Sequence, residues 1–442
     1  MFGRGWLRTL SLLFAFVLVA MQPTLAQSSS LLAFINSAGQ LIISSGDGSY
    51  RWIVTNPGEV LNRTLGYSWS PDGRRVFFAL GEGDVSLRVG DTSSQSVSEI
   101  GRLGGQVSGG NWMPDGSAVV VASGNQLVAV PAGGGQALSL AAASDTITVR
   151  SPMDAAGDRA HLSQSQSMSS DGQFLFFAQG GGNVVQSVGG APIPVMGGDP
   201  VGQYSGLWSE VAPLVTYNGM GATSMLAVTN AATGATLQLD SGRMAPINPI
   251  AWVPGTTLLI YRDATNFVRI VDVGCLTSQC ADNPLQRGEE LLPASAAEVQ
   301  TEGGWVFFLD GEMVKAVSLG CVGTGGCAGS AVTLGANVAP QTILDVGGTT
   351  LAYTAYAANA YDPADREARV VNLQCLSNPA SCQAAPMLAG AVSGFVSPDG
   401  QYVVVEAVGG GLSVLRLFDG QTTYLSDPAG GSLLTRARWN IQ

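Results

Sequence analysis

The sequence predicts an all-β fold in which a four-stranded unit repeats around a closed ring. Three observations lead there. A short strand, a turn of Pro, Asp and Gly, and a strongly apolar strand recur together along the chain. Two further strands follow each copy at hairpin spacing. The two ends of the chain read as complementary parts of one more unit. Composition agrees, because 46% of the 442 residues are hydrophobic, only 12% are charged and 59 are Gly. That is too apolar for a disordered chain. The apolar residues come in short Val, Leu, Phe, Tyr and Thr runs broken by Gly, Asp and Asn, not at helical spacing.

The clearest copies are "YSWSPDGRRVFFAL" around Trp69, "GNWMPDGSAVVVAS" from Gly110, "QSMSSDGQFLFFAQ" from Gln166 and "SGFVSPDGQYVVVEA" from Ser393. Asp-Gly supplies the positive φ of a tight turn, and the Asp side chain can bond the turn's own backbone. Asp72, Asp115, Asp171 and Asp399 therefore read as turn formers, although a row of carboxylates invites a catalytic reading. Weaker copies keep the frame without Asp-Gly at Trp208, Trp252, Trp305 and Asp345. In the first repeat the following strands are "VSLRVGD" (85–91) and "SVSEIGRL" (96–103). Four strands per repeat, at intervals of about 40 to 56 residues, describe the blades of a β-propeller.

These motifs resemble the WD40-like repeats called PD40, seen in TolB and in the propeller domains of prolyl oligopeptidase relatives. The resemblance spans nearly all of residues 27–442 and implies a fold rather than an activity. TolB carries an α/β domain ahead of its propeller, whereas here only an export signal is expected before the strands.

"SLLAFIN", "QLIISSG" and "YRWIVTN" (30–56) read as three strands of a blade lacking its first. "LLTRARWNIQ" at the C-terminus reads as that strand, with Trp439 in the place of Trp69. A shared blade would fasten the ring and remove its open edges. Counting it gives nine repeats, against the usual four to eight blades. Two alternatives stand: a nine-bladed ring, or eight blades with one repeat inserted. The irregularity is expected at "DTITVRSPMDAAGDRAHLSQSQ" (145–166).

Arg4 and Arg8, the apolar run "LSLLFAFVLVAM" and the small-residue site "TLA" before Gln27 have the order of an export signal. The expected division is a signal peptide over 1–26 and a propeller over 27–442. The apolar run falls short of the ~20 residues that span a bilayer. A secreted or periplasmic protein follows, with no membrane insertion after cleavage.

The six cysteines form three local pairs, Cys275–Cys280, Cys321–Cys327 and Cys375–Cys382, each between a blade's third and fourth strands. Zinc pairs commonly leave two to four residues between ligands; here four, five and six intervene, and successive blades hold the loops on separate spokes. In an oxidising compartment these read as three disulfides, each stabilising by about 2 kcal/mol. No metal is expected at them.

The formal net charge of -12, with Lys315 the only lysine, argues against nucleic acid or an anionic membrane as partner. No G-x-S-x-G elbow precedes an Asp and a His, and His161 is the only histidine, too few for a metal cage. Strand order puts the first-to-second and third-to-fourth turns on one face, the turn face. The second-to-third hairpins and inter-blade connections lie on the other, around the channel mouth. The resemblance implies ligand binding at that mouth. Candidates there are Asp199, Tyr204, Arg262, Asp263, Asp310 and Glu312. The loop "AYAANAYDPADRE" (355–367) adds Tyr361, Asp362, Asp365 and Arg366, and the 145–166 insertion adds Arg159 and His161. "YDPADRE" offers hard oxygen ligands suited to Ca2+ but lacks the regular D-x-D-x-D-G loop; no other cofactor is expected. The leading expectation is an exported, non-catalytic scaffold for a protein partner or ligand. The alternatives are a glycan-binding propeller using Tyr204, Tyr361 and Trp208, or a polysaccharide hydrolase or lyase using mouth carboxylates.

Overall fold

The computed structural model describes residues 30–143, 146–147, 149, 168–179, 182–195, 206–219, 224–242, 248–278, 288–324, 327, 329–340, 342–357, 362–427 and 437–440. The segment 1–26, where an export signal is expected, and Arg159 and His161 in the expected insertion lie outside them. Nine antiparallel sheets form a nine-bladed β-propeller, with no α-helix among the described residues. All nine repeats become blades, so the eight-bladed alternative falls away. Among the described residues one blade shows three strands, Phe174–Gln179, Gly182–Ser187 and Pro192–Pro194, with Met168 on its inner side bridging to Leu175.

The ring closes as the termini foretell. Ala437–Trp439 pairs with Leu31–Ile35 in the register Leu32 to Trp439, Ala33 to Arg438 and Phe34 to Ala437. Asn440 extends the seam: its backbone N–H donates to the Leu31 carbonyl at 2.7 Å, and its side-chain oxygen accepts from Leu31 N–H at 2.7 Å. Leu41–Ser45 and Arg51–Ile53 complete this closing blade.

Each second strand is buried on both faces, as "RVFFAL" of Arg75–Leu80 shows, because it packs against the blade on either side. Fourth strands lie at the rim; Ser96–Gly104 is mostly exposed. The core is accordingly divided into nine apolar layers, one between each pair of neighbouring blades. Phe77 of one blade meets Trp112, Val119 and Val121 of the next, and Tyr261 and Leu259 meet Leu226 and Val228 of the blade before. Burial on this scale, at about 25 cal/mol per Å² of apolar surface, is the main term holding a ring with no central core.

An indole hydrogen bond repeats between inner strands. Nε1 of Trp112 donates to the Ser68 carbonyl at 3.1 Å, Trp252 to Leu207 at 3.0 Å, Trp439 to Phe395 at 3.0 Å and Trp69 to Arg438 at 3.1 Å. Each acceptor lies on the innermost strand of the preceding blade, so these bonds set blade-to-blade register.

The Asp-Gly turns take the expected form: Gly73 and Gly400 have φ of 63° and 69°. The Asp72 carboxylate accepts from Arg74 N–H at 3.2 Å, and Asp115, Asp171 and Asp399 accept from the equivalent N–H groups. A serine two residues earlier completes the device. Ser70 donates its hydroxyl to Asp72 at 2.5 Å and accepts from Arg75 N–H at 2.9 Å; Ser169 and Ser397 do the same. The carboxylates are thus spent on the turn.

Candidate functional sites on the two faces

On the mouth face, the hairpin joining Leu258–Arg262 to Val268–Asp272 carries Arg262 and Asp263. Asp263 is 1% exposed. Its carboxylate accepts from Thr265 N–H at 2.8 Å, Thr265 Oγ1 at 2.7 Å and Phe267 N–H at 3.0 Å, and it is ion-paired with Arg269. Burial opposes ionisation, but the Arg269 guanidinium and the Thr265 donors outweigh it and hold this carboxyl below its ordinary range. The expectation that Asp263 faces a ligand is corrected by this arrangement: it is a buried turn anchor.

Arg262 is likewise engaged, donating to the Asn266 carbonyl at 2.8 Å and across to the Ala296 carbonyl of the next blade at 2.6 Å. Burial lowers its guanidinium from the usual value. Asp310 accepts from Lys315 Nζ at 2.6 Å and Ser295 Oγ at 2.7 Å, which depress its carboxyl. Glu312 is exposed at the same hairpin's tip. In the loop before Arg366–Asn372, exposed Asp362 accepts from Ala364 N–H at 2.9 Å and shapes the short turn ending at Asp365. Asp199, Tyr204 and Tyr361 lie outside the described residues. Trp208, offered as an exposed sugar platform, is instead 2% exposed on an inner strand. Among the described residues no three His, Cys, Asp or Glu side chains converge as a metal site.

A pattern that motif reading passed over links these hairpins. In seven blades the pairing of third and fourth strands shifts at one place, before Arg88, Val128, Ala227, Arg269, Lys315, Arg369 and Ser413. In each the extra residue of the bulge sits on the fourth strand. In four blades the third-strand residue at the shift is a cation paired with a carboxylate: Arg88 with Glu59 at 2.8 Å, Arg269 with Asp263, Lys315 with Asp310, and Arg369 with Glu367. An aromatic stands opposite each on the second strand: Phe78, Tyr261, Phe308 and Tyr353. The signal lay in "SLRV", "FVRIV", "MVKAV" and "ARVV", a lone cation in an apolar strand.

The turn face holds the cysteine loops. Cys321–Cys327 and Cys375–Cys382 are disulfides with Cα atoms 5.1 and 5.0 Å apart. Cys275 is also disulfide-bonded, while Cys280 lies outside the described residues. Beside the Cys375 loop, a cleft of about 500 Å³ opens between neighbouring blades, in the usual size range of ligand pockets. Trp305, Phe307, Leu373 and Leu376 line it with Glu302 and Thr349. Glu302 is exposed at the rim, yet protein crowds it enough for desolvation to raise its carboxyl above the ordinary value. No sequence pattern announced this cleft, because its walls come from turns that are distant along the chain.

Among solved structures the chain is similar to a eukaryotic initiation factor, with a TM-score of 0.59 and 11% identity over 94% of this chain and 98% of that one. It is also similar to TolB from Acinetobacter baumannii, with a TM-score of 0.33 and 14% identity over 66% and 61% of the two chains. A third is the C-terminal WD40 domain of Sif2, at 0.43 and 12% identity over 81% and 96%. At these identities the likeness concerns the propeller fold alone, and the first comparison supports it over the full ring. No protein-family profile matches the sequence, and no curated protein matches it.

Proposed function

We propose that this protein is an exported, non-catalytic propeller that serves as a binding scaffold in the cell envelope or outside the cell. The observation that carries this reading is the use made of the mouth carboxylates. Glu59, Asp263, Asp310 and Glu367 are each held by a cation at a strand bulge. A glycoside-cleaving pair needs one carboxyl kept protonated and another free to attack or to activate water. Glu59, Asp263 and Asp310 are held below their ordinary values. At the first two, burial is outweighed by hydrogen bonds and the neighbouring cation, and at Asp310 the Lys315 ammonium leads. Carboxyls so held are poor general acids. What they do well is hold hairpins rigid for contact with a partner. Local disulfides on the turn face suit an oxidising compartment.

Cell fractionation with a C-terminal tag, combined with N-terminal sequencing, tests the export part: the protein should leave the cytoplasm and begin at Gln27. Pull-down from the envelope fraction, run beside a glycan array and a polysaccharide turnover assay, tests the scaffold part. A saturable partner without turnover is expected. Turnover of a polysaccharide that is lost in Asp310→Asn would overturn the reading in favour of an enzyme.

A further inference from the structure

We infer that the turn-face cleft beside the Cys375–Cys382 loop is a binding site for a small organic cation with an apolar body, such as a substituted ammonium. This rests on the scaffold reading and gives it a site on the face opposite the channel mouth.

Three features point to that ligand. The lining includes one charged residue, Glu302, and no Lys or Arg. The Glu302 carboxylate has no hydrogen-bond or ion-pair partner among the described residues, and desolvation is the one influence acting on it. A crowded carboxylate without a counter-charge gains most from a cation that is itself easily desolvated, and an alkylated ammonium loses less hydration than a bare one. Beside it, Trp305 supplies an indole, the aromatic system that attracts cations best, and Phe307, Leu373 and Leu376 supply apolar surface for the ligand's body. An anion would be repelled by Glu302 and by the protein's net charge of -12.

The cleft is also built to keep its shape. Its outer wall is the short 3-10 turn Leu373–Ser377, closed by the Cys375–Cys382 disulfide. Asn372 caps that turn by accepting from Gln374 N–H at 2.9 Å. The Leu373 N–H donates to the Thr349 carbonyl of the adjacent turn in the same blade at 2.8 Å, fixing the two turns that form this wall. A wall ordered before the ligand arrives removes part of the entropic cost of binding.

Calorimetric titration of the oxidised, signal-cleaved protein with benzyltrimethylammonium, benzyl alcohol and benzenesulfonate tests the site. The cation should bind at least about tenfold tighter than the neutral alcohol, and the sulfonate should not bind. Glu302→Gln, a rim substitution that disturbs no partner, should weaken the cation about tenfold and leave the alcohol unchanged. Trp305→Leu should weaken the cation by a similar factor; if that variant melts early, the Glu302→Gln comparison decides alone. Equal affinity for cation and alcohol, no heat with the cation, or an unaltered cation affinity in Glu302→Gln would each overturn the proposal. A null result here leaves envelope pull-down and fractionation unaffected, so failure of this site and failure of the scaffold reading are told apart.

Discussion

The indole N–H of Trp69 donates to the backbone carbonyl of Arg438 at 3.1 Å, although the two residues stand 369 positions apart. Arg438 in turn pairs with Ala33. One hydrogen bond therefore ties the first complete blade to the last strand of the chain through the closing blade. Trp439 passes the same contact on to the Phe395 carbonyl of the blade behind, so the seam is locked in both directions by two tryptophans.

Removing that lock should cost more than a tail of this length suggests. Trp439→Phe keeps most of the packing but leaves the buried Phe395 carbonyl without its donor, for a loss of about 1 to 3 kcal/mol. Trp439→Ala should cost about 3 to 5 kcal/mol, and deletion of residues 433–442 should expose the Leu31–Ile35 edge and promote aggregation. Urea midpoints and light scattering measure these effects. A deletion variant with the native midpoint would show that the seam contributes nothing.

The buried pair Asp263–Arg269 gives a second expectation. Asp263→Ala strands a guanidinium beside the apolar layer and deprives the Thr265 and Phe267 N–H groups of their acceptor. A loss of about 3 to 5 kcal/mol is expected, whereas Glu312→Ala on the exposed neighbouring hairpin should stay within about 0.5 kcal/mol. Thermal melts of the two variants side by side would show the contrast, and equal melting temperatures would remove Asp263 from its role as an anchor.

These two hairpins also show where reading the sequence succeeds and where it stops. Ring closure was legible because "SLLAFIN" and "RARWNIQ" each carry half of one repeat, and a missing strand is a one-dimensional fact. Local cysteine pairing was legible for the same reason. The fate of Asp263 was not, because "YRDATNF" looks like any polar hairpin tip. Arg269 meets that carboxylate from the third strand, beside a shift in its pairing with the fourth, and neither the ion pair nor the shift can be read from the hairpin's own residues. Trp208 misled in the opposite sense: it holds the inner-strand position of Trp69 and Trp252, and position in the repeat outranks the general tendency of aromatics to mark binding sites. The cleft at Glu302 was out of reach, since Trp305 and Leu373 meet only across a blade interface.

Acid should act on the Asp-Gly turns. At Asp72 burial works against ionisation, but the Ser70 hydroxyl and Arg74 N–H prevail and the carboxyl is lowered. At Asp115 the Ser117 N–H and hydroxyl lower it. A carboxyl depressed in the folded state adds stability that is complete above its unfolded value, near 4, and fades as pH falls through the folded value. Melting temperature should therefore hold steady above about pH 5 and decline below pH 4. The decline should be shallower in Asp72→Asn and Asp115→Asn, which should themselves lose about 1 kcal/mol at neutral pH. Variants as acid-sensitive as the native protein would mean that other carboxyls govern the transition.

The cysteine loops give the last expectation. Each described bridge closes a loop within a single blade, Cys321 with Cys327 and Cys375 with Cys382, so each constrains the unfolded chain only briefly. The entropy of so short a loop amounts to about 2 kcal/mol, small beside the apolar layers between blades. Reduction should therefore lower the melting temperature modestly without opening the ring. Its local effect should be larger. Freeing Cys375 loosens the 3-10 turn that walls the cleft, so hydrogen exchange should rise over 373–382 while the inner strand Ala391–Val396 stays protected. Intact mass before and after alkylation should show six cysteines engaged in three bridges, with peptide mapping joining Cys275 to Cys280. Bridges that cross from one blade to another, or global unfolding on reduction, would mean that the disulfides and not the inter-blade layers hold the ring together.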